Sequence, residues 1–156
     1  MSDAGGPVVV GLDEQADIEV DVERWQTLAA RSLTEEGVDV GELNLIFVTE
    51  PEMHELNHAH MGEDRPTDVL SFPLDGADTA VAGESLIGDI VVCPAYAARQ
   101  AGDHAGDRGH RGDVDDELAL LIVHGVLHVL GWDHVDAEQT AAMREREDQL
   151  LDRLHR

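Results

Sequence analysis

Residues 124–134 read His-Gly-Val-Leu-His-Val-Leu-Gly-Trp-Asp-His, and the three histidines of this stretch fall at positions i, i+4 and i+10. Because positions i and i+4 share one face of an α-helix, His124 and His128 can reach the same ion. Gly131 can then end the helix in a left-handed turn that brings His134 back as a third ligand. Three neutral imidazoles with an open fourth position are typical of a catalytic zinc site. The stretch therefore predicts a helix that carries a metal site.

The segment before the histidines indicates where this helix lies in the fold. Residues 118–123 read Leu-Ala-Leu-Leu-Ile-Val, and four more apolar residues follow within 126–130. A helix that is apolar on nearly every side is buried, and a buried imidazole without a partner is costly. We interpret the histidines as metal ligands. A pair of core histidines bonded to carbonyl or carboxylate groups is the alternative.

The residue after the first histidine bears on the kind of hydrolysis. The spacing of the triad matches the metzincin proteases, which place a Glu directly after the first His as the general base. This chain has Gly125 at that position, and glycine cannot accept a proton. The site can hold a metal ion and polarise water, but it lacks the base of a peptidase. A zinc metallopeptidase-like hydrolase is therefore an alternative rather than the preferred function.

The charge of the chain limits its partners. There are 34 acidic residues and 10 basic ones, all of them Arg, for a net charge of −24 at pH 7. A surface this acidic repels nucleic acid as a whole, and we expect no binding to DNA. If the substrate is RNA, a local Arg cluster, the metal ion or high salt must offset that field.

Cysteine content and hydropathy indicate the compartment. Cys93 is the only cysteine, so no internal disulfide can form, which fits a reducing cytoplasm. The chain has no apolar run of 18 residues, and we expect no membrane span. Residues 1–6 lack the basic and apolar regions of a signal peptide, so a cytoplasmic protein is expected.

The order of predicted elements indicates one compact domain over residues 1–156, in the α/β (α+β) class. Strands are expected over residues 8–10, 18–22, 43–48, 67–72 and 86–92. Helices are expected over residues 23–36, from the Thr49 cap to His60, from Pro94 to Gly102, from the Asp113 cap to Gly131, and after the Asp136 cap. Residues 102–112 are rich in Gly, Asp, His and Arg, which predicts a flexible loop.

Three blocks of the sequence resemble the YbeY family of metal-dependent endoribonucleases, the rRNA maturation factors. The first is the histidine stretch at 124–134. The second is Leu56-Asn57 followed by Pro-Thr-Asp-Val-Leu-Ser-Phe-Pro at 66–73, and the third is Ile-Gly-Asp-Ile-Val-Val-Cys at 87–93. They come in the family's order and at about its spacing. The resemblance covers residues 40–155, and the three blocks together are far more specific than a histidine triad alone.

The resemblance implies a fold, an activity and partners. The fold would be a mixed, mostly parallel sheet packed with helices, with the metal site in a cleft on a central buried helix. One zinc ion would be held by His124, His128 and His134. The activity would be hydrolysis of single-stranded RNA in maturing the 3′ end of small-subunit rRNA and in ribosome quality control. The partners would be the rRNA precursor, the small ribosomal subunit and assembly proteins. A non-catalytic ribosome-assembly factor with structural zinc is a further alternative.

One position departs from the family pattern. After Leu-Asn, many members carry an aromatic residue and then an Arg thought important for activity, where this chain has His60 and Met61. Arg65 is our candidate substitute, with a catalytic role beside His124. A solvated loop charge is the alternative for Arg65. The other arginines considered for this role are Arg99, Arg108 and Arg111.

Further polar residues are candidates for the surroundings of the metal. Asp133 could accept a hydrogen bond from a ligand imidazole or stabilise the turn after the glycine. Four residues on or beside apolar strands could bond the ligands, line the cleft or cap strand ends: Thr67, Asp68, Ser71 and Asp89. A second histidine group, at positions 54, 58 and 60, lies on a polar helix, where exposed surface is the favoured interpretation.

Overall fold

Four strands form one mixed sheet at the centre of the fold in the computed structural model, which describes residues 6–73 and 86–156. The strands are β1 (Val8–Asp13), β2 (Glu42–Phe47), β3 (Val69–Pro73) and β4 (Leu86–Val92), in the spatial order β1-β2-β4-β3. The first, second and fourth strands run parallel, and β3 pairs antiparallel with β4 at the edge. This mostly parallel sheet confirms the predicted fold class.

Five helices accompany this sheet within the described ranges. They are α1 (Val22–Glu35), α2 (Glu50–Met61), α3 (Pro94–Gln100), α4 (Val114–Val129) and α5 (Ala137–Leu154), with a short 3₁₀ turn at Ala101–His104. No helix in the described ranges is long and apolar enough to cross a membrane.

The two faces of the sheet carry different helices because strand side chains alternate. On β4, Ile90 and Val92 belong to the large core with residues of α1, α4 and α5. Val91 and Cys93 point the other way, into a smaller cluster that includes Met53 of α2. The helix of the histidines thus covers one face of the sheet, and β4 lies beneath it.

The burial of α4 follows from its sequence. Leu118, Ile122 and Val126 are at most 1% exposed, as expected for a helix that is apolar on nearly all sides. The Asp113 side chain accepts a hydrogen bond from the Asp116 N–H at 2.8 Å, which confirms the predicted N-cap. Three acidic residues fill the first turn, where they interact favourably with the helix dipole.

Two local predictions need correction. The strand predicted at 18–22 is wrong, because the Asp21 side chain caps α1 by accepting from the Arg24 N–H at 3.2 Å. The apolar alternation there reflects Val20 and Val22 packing on the core from a loop and a helix start. Residues 102–112 form a loop as expected, but a compact one. In it the Gly106 N–H donates to the His110 carbonyl at 2.7 Å, and His110 is 5% exposed.

Candidate metal centre

The three histidines predicted from the spacing lie together at the C-terminal end of α4. The ring centroids of His124 and His128 are 4.5 Å apart. The His134 ring lies 4.9 Å from that of His128 and 5.8 Å from that of His124. One ring nitrogen from each residue falls within 4.8 Å of the others. This spacing lets a single ion contact all three rings.

The turn that returns His134 forms as the sequence predicts. Gly131 has a φ of 102°, in the left-handed region that glycine enters without a steric penalty. The Trp132 N–H donates to the Leu127 carbonyl at 3.0 Å, and the Gly131 N–H donates to the His128 carbonyl at 3.0 Å, which is the Schellman arrangement. The Trp132 indole N–H also donates to Glu36 at 3.1 Å. The turn is therefore anchored to the end of α1.

The protonation of the triad suits a metal ligand set. Nδ1 of His124 lies 2.5 Å from Oε2 of Glu147, and because a carboxylate only accepts, Nδ1 carries a proton and Nε2 is the nitrogen left to face a ligand. Burial, together with repulsion from His124 and His134, lowers the pKa of His128. The lowered pKa of His128 favours the neutral imidazole that metal binding requires, and the contact with Glu147 leaves Nε2 of His124 as the nitrogen available to an ion. The donor set therefore fits a metal ion such as zinc.

Glu147 is the residue of this site that the sequence analysis missed. Its side chain is 4% exposed, and Arg108 donates to its Oε1 at 2.9 Å. Burial alone would raise the pKa of Glu147, but the hydrogen bonds from His124 and Arg108 outweigh it and hold that pKa below its usual value. The sequence feature that could have predicted this role is the spacing: Glu147 lies four residues after Met143 and three before Leu150, on the buried stripe of α5.

Packing, as well as chemistry, accounts for a glycine at position 125. A Cβ at this position would lie 2.8 Å from Cγ2 of Ile90 on β4, closer than carbon atoms pack. The hydroxyl of Ser71 on β3 donates to the Gly125 carbonyl at 3.5 Å. The helix thus approaches the sheet closely beside the candidate metal site, at a position where glycine leaves room for Ile90.

An open cleft of about 410 Å³ runs from the histidines along α4 and α5. Its lining includes His124 and His134, the carboxylates of Asp68, Glu117 and Glu147, and the cations of Arg108 and Arg144. Asp68, a predicted cleft residue, accepts from the Val69 N–H at 2.7 Å and from the Gln100 amide at 2.8 Å. Its neighbour Thr67 donates to Asp68 at 3.3 Å.

A second group of potential ligands lies further along the cleft, formed by His104, His110 and Glu117. The Gly112 N–H donates to Nδ1 of His110 at 2.8 Å. Nδ1 therefore has no proton, and Nε2 of His110 must carry one. That Nε2 lies 2.9 Å from the buried Glu117 carboxylate, to which it donates. A metal ion at Nε2 would have to displace this proton while Nδ1 still accepts from Gly112, so we interpret these contacts as a hydrogen-bond network.

The remaining predicted residues lie elsewhere. The Asp133 carboxylate accepts from the His134 N–H at 2.7 Å, which is the turn-stabilising arrangement. Asp89 was expected beside the metal, but it lies on the other face of the sheet. Its neighbour Ile90 faces α4, and successive strand residues point to opposite faces. The Asp89 carboxylate accepts from the Asn44 amide at 2.9 Å. Arg65 was expected at the site, but its side chain is 73% exposed and pairs with Glu63 at 2.7 Å. It is not among the residues that line the cleft.

Fold and site together define a class: an α/β protein with a candidate three-histidine metal centre at an open cleft. A family model described as Endoribonuclease YbeY matches residues 12–155. The chain therefore belongs to the YbeY endoribonuclease family, which confirms the resemblance drawn from the three sequence blocks.

Individual relatives agree with this assignment. An Endoribonuclease YbeY from Salinispora tropica is 40% identical over 152 residues, which is 91% of this chain and 93% of the relative. One from Thermobifida fusca is 36% identical over 147 residues, covering 91% of each chain. A solution structure of a Thermotoga maritima protein is 29% identical, with a TM-score of 0.56, and the match covers 93% of this chain and 90% of that one.

Proposed function

We propose that this protein is a zinc-dependent endoribonuclease that cleaves single-stranded RNA in the cleft beside His124, His128 and His134. The observation that carries the proposal is the open histidine triad in a chain of the YbeY endoribonuclease family. The domain would span residues 1–156.

The coordination available to the ion favours catalysis over a structural role. Structural zinc sites are usually closed by four protein ligands. Among residues 6–73 and 86–156, only the three histidines bring donor atoms within 4.8 Å of one another at this place. His134 is exposed, so water and substrate can approach the ion. This arrangement argues against the alternative of a non-catalytic assembly factor with structural zinc.

The chemistry divides between the ion and the chain. Held by His124, His128 and His134, a zinc ion would supply a water of lowered pKa (about 7 in such sites) and positive charge for a phosphate oxygen. Glu147 holds the His124 ring in one tautomer and orientation through the hydrogen bond to Nδ1. Phosphoryl transfer depends largely on positioning and charge stabilisation, so the chain needs no strong base next to the ion.

The positions of the carboxylates argue against the metallopeptidase alternative. Position 125 holds Gly rather than the Glu of a peptidase, and a Cβ there would lie 2.8 Å from Cγ2 of Ile90. The carboxylates that line the cleft are already engaged: Asp68 by Val69 and Gln100, Glu117 by Gln100 and two histidines, and Glu147 by His124 and Arg108. Within residues 6–73 and 86–156, every carboxylate that lines the cleft thus has such partners, whereas the general base of a peptidase faces the metal-bound water.

The biological role we infer is the maturation of the 3′ end of small-subunit rRNA, with a part in ribosome quality control. The partners would be the rRNA precursor, the small ribosomal subunit and its assembly proteins, in the cytoplasm. Support for this role comes from the family to which the chain belongs. The cleft geometry by itself supports only the binding of a strand beside the ion.

The test combines elemental analysis with cleavage of a fluorescently labelled single-stranded RNA. We expect one zinc per chain in the wild type, and cleavage that a chelator abolishes and added zinc restores. His128→Ala should lose both the zinc and the activity while remaining folded by circular dichroism. His58→Ala, which removes an exposed histidine of α2, is the matched control and should behave as wild type. Zinc-loaded wild type that leaves RNA intact would refute the proposal.

A further inference from the structure

The acidic surface poses a problem for any RNA-binding site on this chain, because each phosphate must be held against a net charge of −24. Met61, which stands where the resemblance to the family implies an Arg, is 60% exposed and supplies no charge. A guanidinium that already pairs with a carboxylate contributes little net positive charge to the cleft. The relevant cations are therefore those arginines without an acidic partner.

Most arginines of the chain are neutralised by a neighbouring carboxylate. Eight of the ten form such ion pairs: Arg24, Arg65, Arg99, Arg108, Arg111, Arg146, Arg153 and Arg156. These eight include all four arginines considered from the sequence. Within residues 6–73 and 86–156, only Arg31 and Arg144 have no carboxylate within ion-pair distance.

Of these two, Arg144 lies at the candidate metal centre. It lines the same cleft as His124 and His134, on the face of α5 that also presents Thr140 one turn earlier. Its side chain is exposed, so it can reach a ligand in the cleft. Arg31 lies in a different depression, lined by residues of α1 and the end of α5.

The main chain at Arg144 is held in place by Arg108, which belongs to the 102–112 loop. Arg108 donates to the Arg144 carbonyl at 2.9 Å, and it also donates to Glu147 at 2.9 Å and to Asp148 at 3.0 Å. The guanidinium of Arg108 is fully engaged in these contacts, and its side chain is only 22% exposed. It braces α5 next to the histidines, while the guanidinium of Arg144 stays available.

We propose that Arg144 binds a backbone phosphate of the RNA strand in the histidine cleft, supplying the positive charge that Met61 does not. This inference rests on the proposed endoribonuclease function. Arginine suits the task because its planar fork can donate two parallel hydrogen bonds to phosphate oxygens. The contact is to the backbone, so it strengthens binding to every sequence alike.

The test measures RNA binding apart from cleavage. Fluorescence anisotropy of a labelled 12-nucleotide oligouridine is recorded with zinc-loaded protein on ice, at several salt concentrations, with gels to show that the RNA stays intact. We expect Arg144→Gln to weaken binding about tenfold at low salt and to reduce the slope of log affinity against log salt by about 0.7. In cleavage assays the loss should fall mainly on KM.

Two variants make the result specific. Arg144→Lys keeps the charge and should keep the wild-type salt slope, with an intermediate affinity. Arg31→Gln removes the other unpaired arginine, outside the cleft, and should change the affinity less than twofold. Equal losses from Arg31→Gln and Arg144→Gln, or no loss from Arg144→Gln, would overturn the inference. Wild type that binds RNA without cutting it refutes the proposed catalysis alone, and wild type that does not bind refutes both.

Discussion

Nδ1 of His124 on α4 and Oε2 of Glu147 on α5 lie 2.5 Å apart, and this hydrogen bond joins the two helices directly behind the histidine triad. The carboxylate is buried, and Arg108 holds its other oxygen. The orientation of His124, the first candidate metal ligand, is thus fixed by the last helix of the chain. Metal affinity should therefore depend on a residue that does not contact the ion.

Replacing Glu147 by Gln should weaken zinc binding by about 10- to 100-fold, the usual effect of losing a partner that orients a ligand. The amide can still accept from Nδ1, but it no longer carries the charge that makes the imidazole a better donor to the ion. Competition with a fluorescent zinc chelator measures the affinity. Glu145→Gln, an exposed neighbour on the same helix, should bind zinc as wild type does. Equal affinities for the two variants would contradict the role of Glu147.

Placing Ala at Gly125 should lower the free energy of unfolding by about 1–2 kcal/mol, because overpacking costs about 1–3 kcal/mol. Helix propensity would return up to about 1 kcal/mol of that cost. Urea unfolding measures the difference. Gly102→Ala, where a Cβ meets nothing within 4 Å, is the control and should be neutral.

A double-mutant cycle identifies the clash as the cause. The Cβ at 125 would lie 2.8 Å from Cγ2 of Ile90, so Gly125→Ala should cost less when Ile90 is already Ala. The same loss of stability in both backgrounds would show that Ile90 is not the obstacle.

The histidine triad could be predicted because the residues that determine its geometry are close together in the sequence. The spacing of His124 and His128 on one turn of helix, and a glycine that permits a left-handed residue, fix most of the geometry within eleven residues. Helix caps at Thr49, Asp113 and Asp136 were predictable for the same reason, since each side chain bonds an N–H three residues ahead.

The surroundings of the triad could not be predicted because they depend on tertiary packing. Glu147 and Arg144 reach the cleft only through the way α5 lies against α4. The sequence also does not show which residues of β4 face α4, because residues 90–92 are apolar on both faces, as in parallel strands covered on both sides. Asp89 was therefore assigned to the wrong face. Arg65 is four residues from Met61 in sequence, but the chain carries it into solvent.

The buried network of His110 and Glu117 gives a spectroscopic prediction. Because the Gly112 N–H donates to Nδ1 of His110 at 2.8 Å, long-range ¹H–¹⁵N spectra should show His110 protonated at Nε2 only. Adding zinc should shift the ring signals of His124, His128 and His134 and leave those of His110 in place. His54, whose side chain is 42% exposed and pairs with Asp64, reports non-specific binding. A second bound zinc that shifts His110 would refute the assignment of this network.

Asp116 should make the stability of the fold depend on pH in the acid range. Its carboxylate accepts from the Arg111 guanidinium at 2.6 Å and 3.0 Å and contacts Nε2 of His155 at 2.7 Å. The Arg111 guanidinium, and with it the His155 ring, holds the pKa of Asp116 well below its usual range. Because the pKa of Asp116 is lower in the folded state, its ionised carboxylate stabilises the fold fully at pH values above the unfolded-state pKa of about 3.9. This contribution is lost as the pH falls toward the folded-state pKa.

Replacing Asp116 by Asn should therefore lower the free energy of unfolding by about 2 kcal/mol at pH 7, and the gap from wild type should narrow at about pH 3. Asp115→Asn is the matched control: Asp115 pairs with Arg24 at 3.0 Å, but both side chains are about half exposed. Such a pair is worth at most about 1 kcal/mol. Urea unfolding at both pH values measures the two gaps. An Asp116→Asn gap that stays constant or widens on acidification would contradict the lowered pKa.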